Sequence, residues 1–295
     1  MPKKVYIIVG PTAVGKTSFA ISLAQHLQTE IISADARQCY QELNRGVARP
    51  SQEELNQVPH HFIASHSIHD TVNAAVFEKY ALEKVSELFE KQDAVVMVGG
   101  TGLYIKAFCE GLDAIPAIVD NVRETIQKNY AQKGLEWLQH EIAQKDPLFW
   151  NQCEQQNPQR LMRALEVVTG TGNSILHYQQ KNKVERPFEI VLIGLQIDRS
   201  LLYEKINQRV LKMVEMGLEN EVRNLLPFQD LNALQTVGYQ EWLPYFEKKC
   251  SLEKVAENIQ QNTRHYAKRQ MTWFQKVENI QWHDSLTVIP AQISF

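Results

Sequence analysis

Val5-Tyr6-Ile7-Ile8-Val9-Gly10-Pro11-Thr12-Ala13-Val14-Gly15-Lys16-Thr17 is the stretch that decides the fold. Its opening run is continuously apolar rather than alternating, the pattern of a strand buried on both faces of a parallel sheet. The residues that follow fit G-x-x-x-x-G-K-[ST], a turn whose glycines let backbone N–H groups converge on a phosphate, and a helix is expected directly after it. Phe19, Leu23 and Leu27 do recur at helical spacing, and a short strand near Ile31 and Ile32 completes a βαβ unit. Further out, Phe77, Ala81, Val85 and Leu88 mark a second helix, and Ala94–Val98 (AVVMV) a further central strand that ends in Gly99-Gly100. The fold class is therefore α/β: a P-loop NTPase-like parallel sheet flanked by helices.

Beyond about residue 113 the character changes. Gln, Glu, Asn and Lys dominate, and the apolar positions form helical stripes: Val119, Val122, Ile126 and Tyr130; Leu135, Leu138 and Ile142; Leu161, Leu165 and Val168. This predicts an all-helical insertion over 113–186 within a core formed by 1–112 and 187–295. Ile190–Leu195 (IVLIGL) returns the chain to the sheet, and amphipathic helices are expected to finish it. Trp137, Trp150 and Trp242 read as packing residues.

Composition excludes several classes. The apolar share of 44% and charged share of 22% are those of an ordinary globular chain. No apolar run approaches the roughly 20 residues of a membrane helix. Met1-Pro2-Lys3-Lys4 runs straight into strand pattern without a cleavage signal, so a cytoplasmic protein is expected. Cys39, Cys109, Cys153 and Cys250 lack the spacing of a zinc site or a disulfide framework. A net charge of -3 argues against indiscriminate nucleic-acid binding but leaves room for a local basic surface.

The chemistry starts at the phosphate loop. Gly10, Pro11, Thr12, Ala13, Val14, Gly15, Lys16 and Thr17 would cradle a diphosphate, with Lys16 as a point charge and Thr17 as a hydroxyl ligand for Mg²⁺. The loop does not say which bond breaks. A nucleotide hydrolase or kinase usually carries an acid at the end of a second central strand, yet here that strand ends in Gly99-Gly100-Thr101. Thr101 can donate to a departing phosphate oxygen or simply cap a helix. Asp35 follows the second strand at the same sheet edge, where it can serve as a base or as a turn residue. Vicinal His60 and His61 favour structural hydrogen bonding from a turn over metal binding.

Further blocks complete a pattern: Pro59-His60-His61, Val98-Gly99-Gly100-Thr101-Gly102-Leu103-Tyr104, Gln159-Arg160-Leu161-Met162-Arg163-Ala164-Leu165-Glu166-Val167, and Thr263 through Phe274 (TRHYAKRQMTWF). With the phosphate loop and Asp35, in this order over nearly the whole chain, they resemble bacterial tRNA dimethylallyltransferases, also called tRNA isopentenyltransferases. The resemblance implies dimethylallyl diphosphate with Mg²⁺ as donor and the N6 amine of adenosine 37, in the anticodon stem-loop of tRNA, as acceptor. It also implies that Lys16 and Thr101 stabilise the leaving diphosphate while Asp35 accepts the amine proton. Residues implied at the tRNA are Asp35, Ala36, Arg37, Gln38, Thr101, Arg123, Gln159, Arg160, Leu161, Met162 and Arg163, with Gln38 on the adenine edge. Arg264 and Lys268 are expected opposite a packing face of Val255, Ile259, Tyr266 and Trp273, where they approach RNA or diphosphate. Gln159, Arg163 and Glu166 are similarly expected to face a ligand while Leu161, Leu165 and Val168 pack. No membrane partner is implied, and a monomer is expected.

The chain departs from the family pattern at Ala36-Arg37, where Ser-Met is common, and at Val47-Ala48-Arg49-Pro50, where Thr-Ala-Lys-Pro is common. Arg37 is left with a phosphate contact or a solvated role, and Asn157 stands where an aspartate is usual. Three rivals share parts of the pattern. An adenylate isopentenyltransferase would use free nucleotide, but the insertion and the Gln159–Arg163 block count against it. A small-molecule kinase is favoured by the phosphate loop alone. A GTPase switch would rest on Asn182-Lys183-Val184-Glu185, with no D-x-x-G to accompany it.

Overall fold

The computed structural model describes residues 2–179 and 183–293. Asn182, the first residue of the guanine-motif mimic, and Met1 lie outside the described residues. The chain alternates β1 (Lys4–Val9), α1 (Lys16–His26), β2 (Ile31–Ser33), α2 (Gln52–Gln57), β3 (His60–His61), α3 (Ala74–Leu88), β4 (Ala94–Val98) and α4 (Gly102–Glu110). Next come α5 (Asp120–Lys145), α6 (Pro147–Trp150), α7 (Pro158–Thr171) and α8 (Ile175–Tyr178). The sheet resumes at β5 (Glu189–Gln196), followed by α9 (Arg199–Glu215), α10 (Leu218–Leu225), α11 (Leu243–Phe246), α12 (Leu252–Phe274) and β6 (Gln281–Asp284).

Contacts divide the chain into two compact units, Met1–Cys109 with Glu185–Phe295, and Glu110–Val184. The larger unit holds a six-stranded sheet in the order β3-β2-β4-β1-β5-β6, with every pairing parallel. Because successive strand residues face opposite ways, β1 feeds two cores. Val5, Ile7 and Val9 pack with α3, α4 and α12, whereas Tyr6 and Ile8 pack with α1 and α9. Each apolar run of the sequence is thus a strand covered on both faces. Two features depart from expectation. His60 and His61 form an edge strand on β2 rather than a turn, and the chain closes on a sixth strand, β6, beside β5. Short edge strands of mixed polarity carry little periodic signal, which is why the pattern hides them.

The smaller unit is helical around Ile126, Leu138, Ile142, Phe149, Leu161 and Leu165. Gly134, at φ 75°, breaks α5 between the first two apolar stripes. Trp137 and Trp150 pack against this core, and Trp242 is fully buried in the larger unit. Among the described residues, no helix is long and apolar enough to cross a membrane.

Candidate active site

Register brings the chemistry to one edge. β4 lies between β1 and β2, with Ile8 and Ser33 both level with Val98, so the loops leaving all three strands emerge side by side. At such an edge open α/β folds bind their ligands. Gly10 (φ 144°), Ala13 (φ 66°) and Gly15 (φ 107°) turn the first loop back onto α1. At Gly10 a Cβ would meet the Leu195 carbonyl oxygen at 2.4 Å, so only glycine fits. The N-terminus of α1 has no side-chain cap. Its first N–H groups have no partner within the helix, and with the positive end of the dipole they form a seat for an anion.

A cleft of about 870 Å³ opens over this seat. Its walls include Thr12, Ala13, Gly15, Lys16, Thr17, Ser33, Asp35, Gln38, Gly99, Arg209, Tyr266 and Gln270. Lys16 Nζ donates to the Pro11 carbonyl at 2.8 Å. Burial pushes its ammonium down to about 7, against the opposing pull of Asp35. Asp35 Oδ1 accepts from the backbone N–H of Arg37 at 2.8 Å and of Gln38 at 3.2 Å. The carboxylate is therefore a turn residue and a cleft residue at once. Thr101 accepts at Oγ1 from the Ala36 N–H at 3.0 Å, and its hydroxyl neighbours the Tyr266 phenol. Burial, reinforced by the charge of Asp35, raises the Tyr266 phenol above its ordinary value, so it stays protonated at neutral pH and can donate a hydrogen bond.

Arg209 and Gln270 take places in the cleft to which the sequence reading assigns no role. Arg209, from α9, points Nη1 at Thr12 Oγ1 (3.4 Å) and Nη2 at the Ala48 carbonyl (3.3 Å), which places a guanidinium beside the phosphate loop. Gln270, from α12, accepts from the Thr12 N–H at 2.8 Å and donates to the Gly100 carbonyl at 3.1 Å. It clasps the phosphate loop to the glycine turn after β4, so tightly that a Cβ on Gly100 would come within 2.0 Å of its Nε2. Both arrive from far along the chain: Arg209 lies outside every motif block, and Gln270 lies inside the Thr263–Phe274 block with nothing local to mark its contact with the phosphate loop.

Several expected roles meet a different environment. The Gln38 amide donates to the Val47 and Ala48 carbonyls (3.3 and 3.1 Å), so it is already engaged within the protein. Arg37 is half-buried, and its Nη1 donates to the Asn232 carbonyl at 2.8 Å on the exposed side of the protein. Arg264 is tied down by Asn207 Oδ1 at 2.6 Å and lies over the Tyr203 ring, whereas Lys268 is exposed. On α12 the buried face is Val255, Ala256, Ile259, Ala267, Gln270 and Phe274. Trp273, expected among them, is 41% exposed. Arg49, in the departing Val47–Pro50 segment, donates to the carbonyls of Tyr40, Gln41 and Leu43. His60 Nδ1 bonds the Val58 carbonyl (2.7 Å) and His61 Nε2 bonds Glu30 (2.6 Å).

In the smaller unit, Gln159, Arg160 and Arg163 of α7 are exposed and Met162 is half-buried. Leu161 is fully buried, so its side chain packs the core and cannot meet a ligand. Glu166 also turns inward: it is buried and holds Arg163 (2.9 Å) and Arg123 (3.8 Å), presenting both guanidiniums from one carboxylate. Asn157 caps α7 by accepting from the Arg160 N–H at 3.1 Å, the task an aspartate would perform.

Comparison with known proteins places this geometry. The IPP transferase family model matches residues 38–277. A tRNA dimethylallyltransferase of Christiangramia forsetii is 45% identical over 277 residues, 94% of this chain and 92% of its own. That of Flavobacterium johnsoniae is 45% identical over 291 residues, covering 97% and 94%. Among solved structures, the tRNA isopentenylpyrophosphate transferase of Bacillus halodurans superposes with a TM-score of 0.70 at 34% identity, over 96% of this chain and 90% of that one. A eukaryotic dimethylallyltransferase acting on tRNA has a TM-score of 0.80 at 23% identity, over 96% of this chain and 74% of that one, a likeness of fold alone. By sequence over nearly its full length and by structure, the chain belongs to the IPP transferase family.

Proposed function

We propose that this protein transfers the dimethylallyl group of dimethylallyl diphosphate to the N6 amine of adenosine 37 in tRNA. The observation that carries the reading is the convergence of an anion seat and a carboxylate on one cleft: the uncapped start of α1 with Lys16 and Arg209, and Asp35 facing the same space. A kinase would need an acid after β4; the turn there is Gly99-Gly100-Thr101. Family membership supplies the substrate class.

On this reading the first-turn N–H groups, Lys16 and Arg209 hold the diphosphate and stabilise the charge that builds as the allylic C–O bond breaks. The Thr101 hydroxyl, at the turn after β4, and the neighbouring Tyr266 hydroxyl, on α12 at the cleft wall, supply donors to the leaving oxygen. The adenine N6 attacks the allylic carbon, and its proton becomes acidic as the N–C bond forms. Asp35 accepts that proton, held in place by the N–H groups of Arg37 and Gln38. The adenine must leave its stack to reach the cleft, which an unpaired anticodon loop permits.

Mg²⁺ fits the donor set. The hydroxyls of Thr17 and Ser33 and the Asp35 carboxylate line the cleft. Among the described residues no group of three or more His, Cys, Asp or Glu could hold a metal. That combination suits an ion carried mainly by phosphate oxygens and water, with Thr17 as a protein ligand. Such an ion would neutralise charge on the diphosphate. In the smaller unit, Arg123, Gln159, Arg160, Met162 and Arg163 form the basic surface offered to the RNA, with Lys268 on α12 as a further contact.

The reading is tested by supplying labelled dimethylallyl diphosphate with Mg²⁺ and either an anticodon stem-loop or AMP. Label should pass to the stem-loop. Transfer to AMP alone would assign the chain to free-nucleotide chemistry, and ATP turnover without prenyl transfer would assign it to the kinases.

A further inference from the structure

Trp273 is 41% exposed, an aromatic ring with one polar N–H at the surface. It lies on the last turn of α12, and its indole edge rests on the turn after β4: a Cβ on Gly102 would meet Nε1 at 2.2 Å. One residue earlier in that turn, Thr101 neighbours Tyr266, which lines the cleft. Two successive points of the 101–102 turn therefore hold two aromatic side chains of α12, seven residues and about 10 Å of helix apart. One ring faces into the cleft; the other stands outside its rim, with half-exposed Leu103 following Gly102.

Along the chain, the charges on either side of this ring are basic as far as Glu278. Residues 265–277 contain Lys268, Arg269 and Lys276 and no Asp or Glu. All three cations are exposed, and the Arg269 guanidinium lies 5.8 Å from the Tyr266 ring. A pinned, flat apolar face in a segment that carries exposed cations is the combination that takes a nucleobase on the ring and its phosphate on the cations. A protein partner would be expected to meet a broader apolar patch, and the neighbouring Thr272, Gln275 and Lys276 are polar.

We infer that Trp273 is a stacking platform for the nucleotide next to the target adenosine, engaged when that adenosine enters the cleft. This rests on the proposed action on RNA and adds a subsite outside the cleft. Its position explains what the subsite does: the base left without its stacking neighbour gains a replacement surface at the rim, which offsets part of the cost of extrusion.

The test is a binding cycle on the full chain, read by fluorescence anisotropy of a labelled anticodon stem-loop so that it does not depend on turnover. Trp273→Ala should weaken stem-loop binding about 5- to 100-fold, the range of one base–aromatic stack. Trp273→Phe should recover most of the loss, and KM for dimethylallyl diphosphate should stay within about twofold of wild type in both. Stem-loops lacking the base on either side of the target adenosine supply the second axis. With one of them the wild type and Trp273→Ala should bind equally. Unchanged stem-loop binding by Trp273→Ala, or an equal loss on the intact and both abasic RNAs, would overturn the inference. Tight, Trp273-dependent binding without any prenyl transfer would instead count against the proposed reaction and leave the subsite standing.

Discussion

Gln270 offers the sharpest link between packing and the site, because one buried amide ties together two loops that share no sequence neighbourhood. Replacing it by Ala strands the Thr12 N–H and the Gly100 carbonyl, bonded at 2.8 and 3.1 Å. Each buried polar group left unmatched costs about 1–3 kcal/mol, so the pair is worth about 2–6 kcal/mol. Thr12 borders the cleft and can recruit water, which argues for the lower half, about 2–4 kcal/mol. Gly100→Ala should do similar damage by another route, since its new Cβ would lie 2.0 Å from Gln270 Nε2 and force the amide out. The decisive variant combines the two. With Ala at 270 the methyl at 100 has room, so the double variant should be no less stable than Gln270→Ala alone, a coupling of at least about 1 kcal/mol. Urea unfolding of the three variants measures this, and KM for the diphosphate donor should rise in all three as the phosphate loop loosens. Additive losses would refute the clasp.

Asp35→Asn keeps an oxygen to accept the Arg37 and Gln38 N–H groups, so the turn should survive and donor and RNA binding should change little. Single-turnover transfer should nevertheless fall about 10²- to 10⁴-fold, the usual worth of a positioned base, and a normal rate would remove Asp35 from the chemistry. Lys16 sets a pH dependence. Its ammonium titrates at about 7 in the free protein, so above that pH a bound diphosphate must draw in a proton. Affinity for inorganic diphosphate should therefore decline as pH rises through 7, and calorimetry should find that decline reduced in Lys16→Met. Stability of the free protein runs the opposite way: between about 7 and the ordinary value of 10.5 the unfolded chain binds more protons, so stability from this residue increases with pH. Buried Glu221 accepts from the N–H groups of Asn44, Arg45 and Gly46 and from the Tyr239 hydroxyl, anchoring the loop that forms one cleft wall. Glu221→Ala should cost about 3–5 kcal/mol in thermal or urea unfolding, and Tyr239→Phe only about 1 kcal/mol.

What the sequence made legible is what local pattern controls. Val5–Thr17 carries its own strand, turn and helix, and the buried runs at Ala94–Val98 and Ile190–Leu195 read as central strands because both faces are covered. The sheet edge that gathers Lys16, Asp35 and Thr101 follows from those strands. Long-range contacts were not legible. Arg209 and Gln270 reach the phosphate loop only through the packing of α9 and α12, and neither belongs to a spacing that marks phosphate chemistry. Helical periodicity also misled where a polar residue has a private partner. Glu166 belongs by position to an outward stripe, yet Arg163 and Arg123 compensate its charge and let it turn inward. On α12 the reverse holds: Gln270 takes the buried place because both ends of its amide are satisfied, and Trp273 is left at the surface.

Digestion of tRNA to nucleosides after incubation with the protein, dimethylallyl diphosphate and Mg²⁺, followed by mass analysis, puts the central claim to its most direct trial. The account predicts an adenosine carrying one prenyl group on N6, located at position 37 and absent when Asp35→Asn replaces the wild type. Unmodified adenosine in every tRNA, from a protein that binds the donor and remains folded, would contradict it.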